Sequence, residues 1–129
     1  MLPFSVTLRA GDPIQEQVVY AVTRAVVSGQ LRPGDAFPSV RVLSQELGIN
    51  PNTAHRIVGV LIADGILVVR PGVGTIVADE SRGLRTGRRQ SVEDDVERIV
   101  IESKRAGLSL QELLAAVRRQ WGRIVRRAG

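Results

Sequence analysis

Two helix boundaries fall almost on top of each other in this chain, and they constrain its fold more than any other feature. Gly48 suits a helix end, because glycine adopts positive φ without strain, and Asn50 suits a helix start, because its side chain accepts from amides that have no partner within the helix. Only Ile49 separates them. Pro51 fits the first position of the following helix, where its missing N–H is not needed. A glycine-containing connection this short makes two consecutive helices cross steeply.

The flanking residues supply the helices. Ser39 caps the first, whose inward positions are Val40, Leu43 and Leu47. In the second, Ala54, Ile57, Val58, Leu61 and Ile62 recur at helical spacing and make one buried stripe. The opposite side holds Asn52, Arg56, Gly59 and Ala63, with Thr53 and His55 on its flanks. That side is polar at its N-terminal end and small further along, which suits entry into a DNA groove about 12 Å wide. The pattern is a helix-turn-helix.

Asp64 and Gly65 end the second helix, and β-rich runs at 66–69 and 75–78 flank Pro71, Gly72 and Gly74. These residues predict a hairpin wing with bare backbone amides at its tip and one cation, Arg70, beside it. Such a tip can approach phosphate or a minor groove. The GVGT loop lies between two strands and not before a helix, so it does not make a nucleotide cradle.

Upstream, residues 1–11 read as an extended arm carrying an apolar run from Phe4 to Leu8. Asp12, Pro13 and Gln15 predict a capped helix over about residues 13–28, with Ile14, Val18, Val22, Ala25 and Val26 on its apolar face. Leu31 to Asp35, LRPGD, then supplies a Pro-Gly turn. Downstream, Asp79 to Gln90 reads as an Arg-rich linker, a solvated segment that competes with a second reading as a DNA-backbone contact.

Ser91 opens the next helix, with Glu93, Asp94 and Asp95 in its first turn and Val92, Val96, Ile99 and Val100 on its stripe. After Gly107, Ser109 and Glu112 predict a capping box for a last helix lined by Leu110, Leu114, Val117, Trp121 and Ile124, with Leu113 poised to pack on Leu108. Two helices alone leave each other's outer apolar edges wet, so burial against a second copy is the simplest remedy. The residues offered to that copy are Val96, Ile99, Val100, Leu110, Leu113, Leu114, Val117 and Trp121.

Composition narrows the chemistry. The 129 residues, 43% of them hydrophobic, suffice for one domain and a small second element. There is no Cys and one His, so neither a disulfide framework nor a metal cluster is expected. No apolar run approaches the roughly 20 residues that span a bilayer, and the start lacks the basic region of a signal peptide, which points to a soluble cytoplasmic protein. The net charge of +5 favours an anionic polymer as partner. Residues 1–78, however, hold six Arg against five acids, so DNA binding there rests on which residues face outward. No nucleophile and base stand paired, and neither catalysis nor a cofactor is expected.

Residues PIQEQ, SGQLRPGD, PSVRVLSQELGINPNT, DGIL and GVGT occur in an order that resembles the N-terminal winged helix-turn-helix domain of GntR-type bacterial transcriptional regulators. The tail, with its GLS-linked helical pair, resembles the small dimerisation module of the YtrA-type subfamily. The resemblance implies a mostly α fold with a small β-hairpin wing, in which residues 1–78 form the DNA-binding domain, 79–90 a linker and 91–129 a helical dimerisation tail. It implies a homodimeric transcription factor, most often a repressor, on a palindromic double-stranded DNA operator. Ser39, Arg41, Asn50, Asn52, Thr53, Arg70, Gly72 and Gly74 match positions that contact DNA in the family. His55 stands where relatives place Arg or another polar reader, and Arg56 faces the same way. Ile57 and Val58 replace a common Ala-Tyr pair, and Pro71 a common basic residue. A small-molecule effector would lie between subunits or against the winged domain, because a two-helix hairpin has too little volume within one subunit for a drug-sized pocket of about 300 Å³ or more. The alternative from another class is a non-specific or architectural nucleic-acid-binding protein, supported by the basic tail.

Overall fold

The computed structural model describes residues 1–79 and 85–124, and the chain divides into two compact units near residue 80. The first unit contains α1 (Ile14–Val27), α2 (Val40–Leu47), α3 (Pro51–Ala63), β1 (Leu67–Arg70) and β2 (Gly74–Val77). The second contains α4 (Arg85–Arg105) and α5 (Leu110–Arg123). No helix among the described residues is long and apolar enough to cross a membrane.

The core of the first unit gathers one face from each helix: Val18, Val22 and Ala25 from α1, Leu43 from α2, and Ala54, Ile57, Val58 and Leu61 from α3. Leu67 and Val77 close it from the hairpin. Leu43, Ile57 and Leu61 are fully buried, each contributing about 1.5–3 kcal/mol of apolar transfer. Two members of the expected stripes lie at the edge: Ile14 and Ile62 remain over a third exposed. A stripe wider than its partner surface wets its outermost positions first.

The steep turn forms as its residues dictate. Gly48 adopts the left-handed conformation at φ 64°, and the Asn50 side-chain oxygen accepts from the Asn52 amide at 2.8 Å. Ser44, which looked unremarkable in the sequence, is buried and donates its hydroxyl to the Ile49 carbonyl at 2.7 Å. That bond ties α2 to the residue inside the turn.

The start of α1 departs from expectation. Asp12 does not cap α1: Pro13 holds the cap position with no side-chain bond, and the expected box with Gln15 is not made. Gln17 binds the preceding loop instead, accepting from the Arg9 amide at 2.7 Å and donating to the Arg9 and Asp12 carbonyls at 3.0 Å. In the arm before it, Leu2, Phe4, Val6 and Leu8 alternate inward onto the core, and the rings of Phe4 and Phe37 stack at 5.8 Å. A further segment pairs with the hairpin: the Phe37 amide donates to Thr75 O at 2.9 Å and the Val77 amide to Asp35 O at 2.8 Å. This pairing on the free edge of β2 was not foreseen, because the LRPGD turn masks the extended residues that follow it.

In the second unit, α4 begins at Arg85, so residues 85–90 are helical and not linker. Residues 80–84 of the expected linker lie outside the described residues. Arg has good helix propensity, which explains why an Arg-rich segment joins the helix it precedes. Glu93, Asp94 and Asp95 therefore sit in the helix interior and not at a positive helix end. Asp95 pairs with Arg98 at 3.0 Å, and Asp94 accepts from Gln90 at 3.2 Å. The capping box of α5 forms as expected: Ser109 Oγ accepts from the Glu112 amide at 3.1 Å, and Glu112 Oε1 from the Ser109 amide at 2.9 Å. The backbone amide, and then the hydroxyl, of Ser109 hold the Glu112 carboxyl below its ordinary range.

Candidate nucleic-acid interface

The candidate reading residues lie at the starts of α2 and α3 and at the wing, all within the first unit. Ser39 is the cap of α2, its hydroxyl accepting from the Val42 amide at 3.2 Å, and it remains exposed. Arg41, in the first turn of α2, is also exposed. Asn50 spends its side-chain oxygen on the cap of α3. Next to it Asn52 is exposed and Thr53 half-buried.

His55 and Arg56 are exposed, as is Gly59 one turn further along. With Ala54, Ile57, Val58 and Leu61 buried, the outer side of α3 is the one carrying Asn52, Arg56 and Gly59, as helical periodicity requires.

Two electrostatic features favour an anion at these helix starts. Neither α2 nor α3 has an acidic residue in its first turn, whereas α1 carries Glu16 and α5 carries Glu112 there. The partial positive charge of the first two is thus not neutralised locally. Among the described residues, moreover, Arg41, Arg56 and Arg70 enter no ion pair, while Arg9, Arg98 and Arg105 each hold a carboxylate. Three guanidinium groups thereby keep their full hydrogen-bonding capacity for an external partner.

The wing is a short antiparallel hairpin in the register Leu67↔Val77 to Arg70↔Gly74, with β1 one residue later and β2 one residue earlier than the sequence suggests. Its turn closes through the Val73 amide, which donates to the Arg70 carbonyl at 3.0 Å. Gly72 and Gly74 have φ of 75° and 109°, and a Cβ at either would meet nothing within 4 Å. The glycines are thus required by backbone conformation and not by crowding, and they leave the tip's backbone open to a close approach.

Val69 and Val73, not singled out beforehand, are exposed on this wing. Val69 shares its strand face with the buried Leu67, so alternation alone marks it as inward. It is wet because the strand continues past the rim of the core.

The expected dimerisation residues lie in the second unit, and none is buried. Val96, Ile99, Leu110, Leu114, Val117 and Trp121 are exposed, while Val100 and Leu113 are half-buried. Arg82, Arg126 and Arg127 lie outside the described residues. An open groove of about 720 Å³ runs beside the α4–α5 turn, since the two helices do not close on each other as a compact hairpin would.

Comparison with known proteins places this geometry. The model of the gntR family of bacterial regulatory proteins matches residues 14–77, from the start of α1 to the end of β2. The chain is 29% identical over 106 residues to the HTH-type transcriptional repressor YtrA of Bacillus subtilis, an alignment covering 81% of this chain and 82% of that protein. Its fold is similar to that of a transcriptional antiterminator from Listeria monocytogenes, with a TM-score of 0.84, 21% identity, and coverage of 98% and 95% of the two chains. The first unit is similar to the AraR DNA-binding domain in complex with operator ORX1, with a TM-score of 0.51 and 25% identity over 57% of this chain and 95% of that one. The chain belongs to the GntR family of bacterial regulatory proteins and is a DNA-binding transcriptional regulator of the YtrA type.

Proposed function

We propose that the protein is a sequence-specific repressor that binds a palindromic operator as a homodimer. The observation that carries this reading is the outer side of α3, which presents Asn52, His55 and Arg56 above the small Gly59. A helix with polar readers at its acid-free end and little bulk beyond them can lie in a major groove. Arg41 and the amide of Ser39 would meet phosphate at the start of α2, and Asn50 and Thr53 would support the tip of α3. Arg70, Gly72 and Gly74 would bring the wing onto backbone or minor groove.

In this reading residues 1–78 bind DNA and the helical tail pairs two copies through its stripes, including Val100 and Leu113. Pairing holds the readers at the spacing of the helical repeat, roughly 34 Å. The B. subtilis relative named as a repressor supports the direction of control. The operator complex of the AraR domain supports DNA as the partner.

The competing reading is general nucleic-acid binding driven by charge. A net charge of only +1 over residues 1–78 disfavours it for the reading unit. A mobility-shift titration against excess unrelated duplex separates the two. A specific regulator should hold its own site about 10³-fold or more tightly, and equal competition by unrelated DNA would establish the architectural reading.

A further inference from the structure

The start of α4 is charged against its own helix. Arg85, Arg88 and Arg89 open it, and no acidic residue stands in its first turn. A helix N-terminus carries partial positive charge, so cations there are unfavourable. Arg88 and Arg89 also follow Arg85 at the three- and four-residue spacings where like charges repel along a helix. The acids come too late to compensate, since Glu93, Asp94, Asp95 and Glu97 lie beyond the second turn. Arg88 and Arg89 are exposed. Glu93 stands at pair spacing from Arg89, yet among the described residues Arg89 enters no ion pair.

Basic residues recur on α5, but there they suit their helix. Arg118, Arg119 and Arg123 lie in its C-terminal half, where the partial charge is negative and cations are favoured. The arginines of α4 have no such internal account. An external anion would relieve both the dipole and the repulsion.

The connection selects the anion. Residues 78–84 join the end of β2 to the start of α4 and span at most about 28 Å even when fully extended. That is less than one turn of duplex, roughly 34 Å, along which a phosphate recurs about every 1.7 Å of axis. A duplex held by the winged unit is therefore within reach of the start of α4. We infer that the first turns of α4 make a further DNA-backbone contact, in which Arg88 and Arg89 bind phosphates flanking those met by the winged unit. Their planar guanidinium groups match phosphate oxygens through paired N–H donors. The acidic run that follows repels the same phosphates and confines the contact to the helix start. Such a contact adds affinity without reading sequence. The inference rests on DNA binding alone, and neither operator specificity nor pairing of copies enters it.

The test compares two charge-matched double variants of the 129-residue protein on a mixed-sequence duplex over a range of salt concentrations. Arg88→Gln/Arg89→Gln should bind about 10–10²-fold more weakly, with a salt dependence shallower by about two ions. Arg118→Gln/Arg119→Gln removes the same charge from α5 and should bind as the unsubstituted protein does. Equal losses in the two variants, or no loss in the first, overturn the contact and leave DNA binding by the winged unit standing. Glutamine at the helix start removes the repulsion, so the helicity and sedimentation of the first variant should be unchanged. A second measurement does not depend on that variant. The chain has no Cys, so Gln90→Cys carries an iron-chelate cleavage reagent at one position and keeps both arginines. Cleavage of the bound duplex is expected, and its absence from a complex that forms with unaltered affinity overturns the contact.

Discussion

The two units treat similar apolar stripes in opposite ways. In the first, the stripes of α1, α2 and α3 turn toward one another, and Leu43, Ile57 and Leu61 lose all contact with water. In the second, α4 and α5 carry stripes of comparable length and leave Val96, Ile99, Leu114, Val117 and Trp121 exposed. Periodicity reports that a helix has an apolar face, but not whether that face meets its own chain or another. The winged unit thus buries its stripes as a single copy, whereas the tail leaves its apolar faces uncovered.

The largest effect expected from this contrast follows removal of the tail. A chain ending at Asp79 should remain folded and monomeric, and its affinity for a full palindrome should fall by about 10²–10⁴-fold, because two linked half-sites bind far more tightly than one. Sedimentation together with a mobility-shift titration reads both parts, and a truncated chain that stays dimeric would erase the division of labour.

Leu61→Ala probes the other side of the comparison. Truncating this fully buried side chain should cost the winged unit about 2–5 kcal/mol in denaturant unfolding while leaving the assembly state of the folded protein unchanged. A tail that dissociates in this variant would mean that the units are not independent.

Arg41→Ala should act on binding alone. Loss of a phosphate or base contact weakens operator affinity by about 1–3 kcal/mol, with dimerisation and unfolding unaltered, and for a phosphate contact the salt dependence becomes shallower by about one ion. An unchanged titration would remove Arg41 from the interface.

The smallest effect concerns the start of α5. Glu112 has its pKa lowered by the Ser109 amide and hydroxyl, so its contribution is fully present above the ordinary value of 4.5 and is lost as pH falls through the depressed one. The Ser109 amide resonance should therefore titrate with a midpoint below 4.5, and that titration should vanish in Glu112→Gln. A midpoint at or above 4.5 would show that the box is not populated in solution.

The legible parts of the fold are those where a residue's own chemistry fixes the backbone. Gly48, Asn50 and Pro51 specify the turn locally, as do Ser109 and Glu112 the start of α5, and all of them form as read. What escaped depends on competition between alternatives. Asp12 is as good a cap on paper as Ser39, but Gln17 reaches back to Arg9 and Asp12 and holds the chain in another conformation. The Arg-rich stretch before Ser91 looks like linker by composition and enters α4 because helix propensity extends across it.

For the candidate site, period alone places Asn52, Arg56 and Gly59 outward, and they are outward. The exposure of His55 and Val69 depends on where the core ends, which no local pattern states. That Arg41, Arg56 and Arg70 stand outside every ion pair among the described residues is likewise a property of the folded surface alone.

The central claim is that two copies of one reading unit are placed on DNA by a shared tail. Selection of bound duplexes from a random pool with the 129-residue protein tests it most directly. The account predicts an enriched inverted repeat whose half-sites are centred about one helical turn, or a related distance, apart. Recovery of a single unrepeated half-site, or of no common sequence at all, would contradict it.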